Sequence, residues 1–451
     1  MTGRARLRAG LGVAVAVALA GGLTLVSRPA GQTAAPPPAA PSQGRPLGAV
    51  PPATPSTTAS DRSRTEHVGA LLRTRAQALR DRDEPAFLAT LDPGADAEFT
   101  TRQRAMFANL AGVGLDVWEY ALSPEDSLDV SALPKGAGTD ELWAPAVELR
   151  YALRGADLVP TSRTMGYLFA RAGERWYLRS DTALDGLGRR SWRGPWDFGP
   201  CVVRTTANGI VLAHPGNDPM VQRLVRELDS SVAEVRELWG DAWSQRVALL
   251  LPDSADEMRA LVGAGFPVES VVAVAVADRV DSARHTVAGQ RVVLSPTGAK
   301  ALSAASLRVV LRHEILHVAA RAETVDGSPM WLLEGFADYV GYRHSGISLR
   351  QGAPDLVTLV RRDGPPRALP EDKDFRTSGR ELDLAYQQAW SVARFIAERQ
   401  GEPKLVALYR KLAGAGTVSA AETDELLRSV LGWDRAALVQ AWRAYLRDTL
   451  G

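Results

Sequence analysis

The sequence predicts an α+β fold in two folded units behind an N-terminal leader. Three observations carry that prediction. Residues 63–185 open with apolar residues at helical spacing and continue in long strand-like stretches. Residues 218–296 place a clear amphipathic helix ahead of three short apolar strand candidates. From residue 307 to the end, the pattern is almost entirely helical. A chain of 451 residues with 45% hydrophobic and 23% charged residues has the size for two such domains and the composition of a soluble globular protein. Its 53 basic and 52 acidic residues nearly cancel, to a net charge of +1, so charge gives no reason to expect a nucleic-acid partner or a broadly acidic substrate.

The leader comes first. Arg4, Arg6 and Arg8 precede an apolar run from Ala9 to Val26, followed by Ser27 and Arg28. A positive start and a long apolar run are the marks of an export signal. The run is near the lower length limit for a membrane span. No A-x-A cleavage site follows it directly, and no lipobox cysteine is present. Residues 1–28 are therefore expected to be a signal anchor, with a cleaved signal peptide and a secreted chain as the alternative; either way the bulk of the chain is exported. With an anchor, the arginines would stay cytoplasmic, and the rest of the chain would be held at the membrane, outside the cytoplasm. Residues 29–62, rich in Pro, Ala, Ser, Thr and Gly, read as an extended linker. There is no internal repeat.

In residues 63–185, Val68, Leu71, Leu72, Leu79, Phe87, Leu88 and Leu91 mark helices that break at Asp92-Pro93-Gly94. A second helix is predicted over 99–111. Strands are predicted over 115–122, 142–153 and 163–180, the last as a hairpin across Ala172-Gly173-Glu174. Trp118, Trp143 and Trp176 are expected in the core. Residues 186–206 are aromatic and turn-rich, and read as a packed connector. Within it Cys201, the only cysteine, has no partner for an internal disulfide and is expected to act as a buried apolar residue.

The second unit, residues 207–451, begins with a helix over 218–239, where Val221, Leu224, Val225, Leu228, Val232, Val235 and Leu238 share one face. Strands are predicted at 246–252, 270–277 and 290–296, with a short helix over 254–263. His214 and His285 are expected at the surface, as is His67 in the first unit. Residues 363–380 read as a polar connector on a cleft rim. Helices are predicted over 382–401, 404–414 and 421–449.

The chemistry is concentrated in LRVVLRHEILHVAARAETVDGSPMWLLEGFADYVGY, residues 307–342. His313 and His317 are one helical turn apart on one face, so both imidazoles can reach a single metal ion. Glu314 projects about 100° round the helix, away from the shared ligand position and towards a water beside the metal. Two imidazoles and one carboxylate with a fourth position open form a catalytic zinc set. Glu334, separated from His317 by sixteen intervening residues, is the best third ligand. Asp338 follows it at i+4 and can accept a hydrogen bond from the outer nitrogen of a ligand histidine. Only six histidines occur in the chain, and two of them take this spacing. Glu323 is a second candidate for the third ligand, but the helix would have to stop near Ala320 with no glycine there.

HEILH followed by WLLEGFADY resembles the active site of gluzincin metallopeptidases, the group that contains thermolysin and the zinc aminopeptidases, and most closely the bacterial peptidase MA-like domains. The resemblance implies a thermolysin-like α+β catalytic domain with a helical C-terminal subdomain. It also implies Zn²⁺ as cofactor, His313, His317 and Glu334 as its ligands, Glu314 as general base, and a peptide or protein as substrate. An edge strand beside the zinc helix would pair with substrate backbone. Tyr386, near the start of the helix over 382–401, would help to hold the oxyanion. The metzincin pattern requires a glycine at 320 and a histidine at 323, where this chain has Ala320 and Glu323. No GAMEN-like stretch is present, which favours an endopeptidase. Residues 63–185, with helices ahead of an antiparallel sheet, are similar to cone-shaped NTF2-like domains. The alternative function is a membrane-tethered, non-catalytic scaffold with a metallopeptidase-like domain.

Overall fold

The computed structural model describes residues 20–21, 59–263, 266, 268 and 271–451. Apart from these, the expected leader and linker lie outside the described residues. Among the described residues, no helix is long and apolar enough to cross a membrane.

The architecture is mixed α+β. After a two-residue strand β1 (Ala20–Gly21), the first unit opens with α1 (Ala59–Asp81), α2 (Glu84–Leu88) and α3 (Ala97–Asn109). Asp83 and Asp96 cap the second and third of these by accepting backbone N–H bonds from the first turn. Five antiparallel strands follow: β2 (Leu115–Leu128), β3 (Glu141–Leu153), β4 (Thr161–Met165), β5 (Leu168–Ala172) and β6 (Arg175–Ser180). They pair in the order β2-β3-β5-β6, with β4 also on β3. Trp118, Trp143 and Trp176 are buried in this unit. The hairpin expected across Ala172-Gly173-Glu174 is present as β5–β6, but residues 163–165, read as part of its first arm, belong to the separate strand β4.

The second unit begins earlier than the sequence suggested. Val202–Thr206, read as connector, is β7, the outer strand of the second sheet. Its short VVRTT alternation sits between turn residues, which masked it. Then come β8 (Gly209–Ala213), α4 (Asp218–Trp239), β9 (Val247–Leu251), α5 (Ala255–Val262), β10 (Ala273–Ala277), the small hairpin β11 (Arg279–Asp281) and β12 (Thr286–Ala288), and β13 (Arg291–Leu294). The sheet order is β1-β10-β13-β9-β8-β7. Strands β8, β9 and β13 are parallel, whereas β10 runs antiparallel to β13. Ala20–Gly21 lies parallel along the outer side of β10 at 276–277.

This sheet is buried on both faces, which is why its strands read as continuous apolar runs. Val211, Leu249, Ala275 and Val292 point to one side, into the core built by the helices that follow. Ile210, Leu250, Val274, Val276 and Val293 point to the other, into a core shared with Phe87, Trp118 and Leu178 of the first unit. The expected connector is part of that second core. Trp192 stacks on Tyr151, and Trp196 meets Trp118 edge-on at a centroid distance of 5.4 Å. Cys201 is buried there too, and burial pushes its thiol up to about 12.

After α6 (Gly298–Ala301), the helical layer comprises α7 (Ala304–Ala320), α8 (Met330–Tyr342), α9 (Leu349–Gly352), α10 (Pro354–Asp363), α11 (Arg380–Gln400), α12 (Glu402–Ala415), α13 (Ala420–Leu431) and α14 (Arg435–Leu450). The last stretch, read as one helix, is two, divided at Gly432. Helix α8 packs between α7 and α11. Gly335 makes the close approach possible, because a Cβ there would lie 2.4 Å from the Ala389 carbonyl oxygen of α11.

Candidate metal centre

Helix α7 starts where Ser303 accepts the backbone N–H of Ser306. From there to Ala320 nearly every residue is buried, because α7 lies between the sheet and the surrounding helices. His313, Glu314 and His317 therefore sit in the interior, and so do Glu334 and Asp338 on α8. Burial of five ionisable groups in one place is costly unless each is paired or coordinated.

The geometry converges on one point. His313 Nε2 and His317 Nε2 lie 3.1 Å apart, and Glu334 Oε2 is 3.3 Å from the first and 3.6 Å from the second. A tetrahedral ion with bonds of about 2.0–2.1 Å needs ligand atoms about 3.3–3.4 Å apart, so this triangle has the size such an ion requires. Among the described residues, these three form the group able to hold a metal ion. Asp338 Oδ1 is 2.8 Å from His313 Nδ1. An N–H donated there leaves the Nε2 lone pair facing the shared point.

Hydrogen bonding is incomplete in a telling way. Neither carboxylate of Glu314 or of Glu334 makes a well-formed hydrogen bond: Glu334 Oε2 meets the two imidazoles only at 3.3 and 3.6 Å, and Glu314 has only the Ala275 backbone near it. A cation at the shared point supplies the partner that Glu334 lacks. A water beside that cation supplies one for Glu314. Without a cation, the charges adjust to one another. Burial pushes Glu314 up to about 8, and the charge of Glu334 adds to the effect. For His313, burial acts downward but is outweighed by the hydrogen bonds to Asp338 and Glu334, which push it up to about 10. Burial likewise acts against the charge on Glu334, yet the two imidazoles hold that carboxyl down at about 2. His317, without a carboxylate on its outer nitrogen, is lowered by burial.

The structure thus brings together His313, Glu314, His317, Glu334 and Asp338. Glu323, the second candidate for third ligand, lies in a short 3-10 turn after α7 and pairs instead with Arg410 at 3.1 Å. Tyr386 is buried on α11, with its ring edge-on to Phe375 at 5.3 Å. His344 points to Glu234 at 2.9 Å, away from the triad. His214, expected at the surface, is buried against Glu257, and its partner 43 residues away left no local signal. The sequence reading also missed the residues beside the centre. A cavity of about 150 Å³ next to His317 is lined by Val276, Val318, Arg321, Thr324, Met330 and Leu333, among others. Their proximity arises from tertiary folding alone.

No known family model matches this chain, and no curated protein matches it.

Proposed function

We propose that this protein is a zinc-dependent peptidase acting outside the cytoplasm on peptide or protein substrates. The observation that carries the reading is the convergence of two imidazoles and a carboxylate beside a buried Glu314 whose carboxylate makes no well-formed hydrogen bond. Zinc suits this donor set and, when bound, supplies a polarised carbonyl and a water of lowered pKa. His313, His317 and Glu334 hold the ion, and Asp338 fixes the tautomer and orientation of His313. Glu314 takes the proton from water as its oxygen bonds to the amide carbon. It returns that proton to the amide nitrogen as the C–N bond breaks.

The surroundings favour a peptide. The apolar walls of the cavity at His317 suit an apolar side chain next to the scissile bond. Strand β10 contributes Ala275, Val276 and Ala277 to the same cavity, although β13 on one side and Ala20–Gly21 on the other already pair with its main chain, so the cavity offers a substrate walls rather than a free strand edge. The gluzincin resemblance adds a thermolysin-like arrangement of the domain and Tyr386 as oxyanion donor. The leader adds export; Ala20–Gly21 of its apolar run pairs with β10, which does not fit a span that holds this run in the membrane.

The test is to incubate the zinc-loaded folded portion with a diverse peptide pool and read cleavage by mass spectrometry, with Glu314→Gln alongside. Cleavage by the wild type alone is the expected result. Zinc bound to both proteins with cleavage by neither would replace this reading with the scaffold.

A further inference from the structure

The cleft does not end at the metal centre. The cavity beside His317 shares Ala277, Arg321, Thr324, Val325 and Asp326 with a larger cavity of about 590 Å³, so the two form one groove. Together they have the size of sites that enclose a sizeable ligand. The far wall belongs to the first unit, to Glu148 on β3 and to Pro160, Thr161 and Ser162 at the start of β4. The chemistry changes along the groove. Near His317 the walls are largely apolar, whereas beyond Arg321 they include the exposed charged side chains of Glu148, Arg279 and Asp326.

The far wall is fixed in place by ties that do nothing for the metal centre. Arg291 on β13 forks the carboxylate of Asp157 at 2.6 and 2.7 Å, with both side chains buried. Asp278, in the groove itself, accepts Thr161 Oγ1 at 2.5 Å and pairs with Arg163. Gly289 lets these groups meet. Its φ is +66°, and a Cβ would lie 2.0 Å from Asp278 Oδ2 and 2.8 Å from Thr161 Oγ1.

We propose that the first unit is the distal substrate-binding wall of the metal centre. An extended polypeptide with its scissile bond beside His317 runs past Arg321 and Asp326 and lays polar side chains against the first unit, with a basic residue opposite Glu148. This rests on the peptidase reading and deepens it. The substrate is then a long, extended segment, and Glu148 and Ser162 determine specificity at a distance from the bond that breaks.

The test compares kcat/KM of the zinc-loaded protein on blocked peptide libraries of about 15 and about 5 residues, since only the longer can span the groove. Ser162→Trp and Glu148→Arg are expected to lower the long-to-short ratio by about tenfold, a change of about 1.4 kcal/mol, with zinc content unchanged. Glu148→Arg should also remove the preference for a distal basic residue. Glu125→Arg, on an exposed part of β2 outside the groove, should leave the ratio as it is. An unchanged ratio in both groove variants would overturn the proposal. A second measurement separates it from the peptidase reading. A photo-crosslinking benzoylphenylalanine replaces Ser162 in the Glu314→Gln protein, which is irradiated with the long library. Crosslinking without any wild-type cleavage would keep the groove and remove the peptidase. Absence of crosslinking would remove the groove whatever the turnover.

Discussion

His214–Glu257 and His313–Glu314–His317–Glu334–Asp338 are both buried assemblies of histidine and carboxylate in the second unit, and they differ in one respect. The first is closed. His214 places Nδ1 2.9 Å from the Pro200 carbonyl and Nε2 2.8 Å from Glu257 Oε1, and the other Glu257 oxygen accepts the Asp253 N–H at 2.8 Å. With a carbonyl and a carboxylate facing its two ring nitrogens, His214 is held toward the imidazolium form, paired with Glu257. It ties the segment before β7 to the start of α5. The second assembly, just as deeply buried, leaves four carboxylate oxygens without a well-formed hydrogen bond. Satisfied burial makes a structural clasp. Unsatisfied burial at the same depth marks a place where the protein meets something else.

Glu314 separates the two assemblies most strongly. Glu314→Gln should keep the metal and lose about 10²–10⁴-fold in kcat, the range for removal of a general base, read by peptide hydrolysis beside zinc analysis. Retained wild-type activity would make Glu314 a structural residue like Glu257.

The clasp should respond to pH with a definite sign. Burial acts against the charged form of His214, but the bond to Glu257 outweighs it and raises the pKa. A raised folded pKa gives stability that is fully present below the unfolded value and is lost as pH rises through the folded one. His214→Gln should therefore cost about 3 kcal/mol in slightly acidic solution and less in alkaline solution, measured by urea unfolding. A cost independent of pH would mean the ring is neutral.

Asp338→Asn comes next. The amide cannot serve as a charged acceptor for His313 Nδ1, so zinc affinity or turnover should fall about 10–100-fold. Competition with a chromophoric chelator reads the affinity directly, and an unchanged value would reduce Asp338 to packing. A comparable effect, read in stability, is expected at Gly335→Ala, which should cost about 1–3 kcal/mol through the clash with the Ala389 carbonyl and shift α8 enough to weaken the zinc site. Full stability would show that α8 and α11 can separate freely.

Local pattern determined what could be read from the sequence. Helix α4 is legible because its apolar residues recur every three or four positions over its whole length. His313, His317 and the Glu334/Asp338 pair are legible because each lies one turn from its neighbour on a helix, so spacing alone puts them on one face. The meeting of α7 and α8 follows less directly, through Gly335 and the packing around it. Burial of His214 was illegible because its partner is on another element. The groove was equally hidden. Val276, Arg321 and Ser162 come together only when β10, the turn after α7 and β4 have assembled.

Whether His313, His317 and Glu334 hold a cation is decided by the zinc stoichiometry and affinity of the folded chain, with Glu334→Ala in parallel. If the unsatisfied carboxylates await a cation, the wild type binds one zinc per chain and melts at a higher temperature when loaded, and Glu334→Ala loses both properties. Absence of zinc binding in the wild type, or equal binding in Glu334→Ala, would contradict the account.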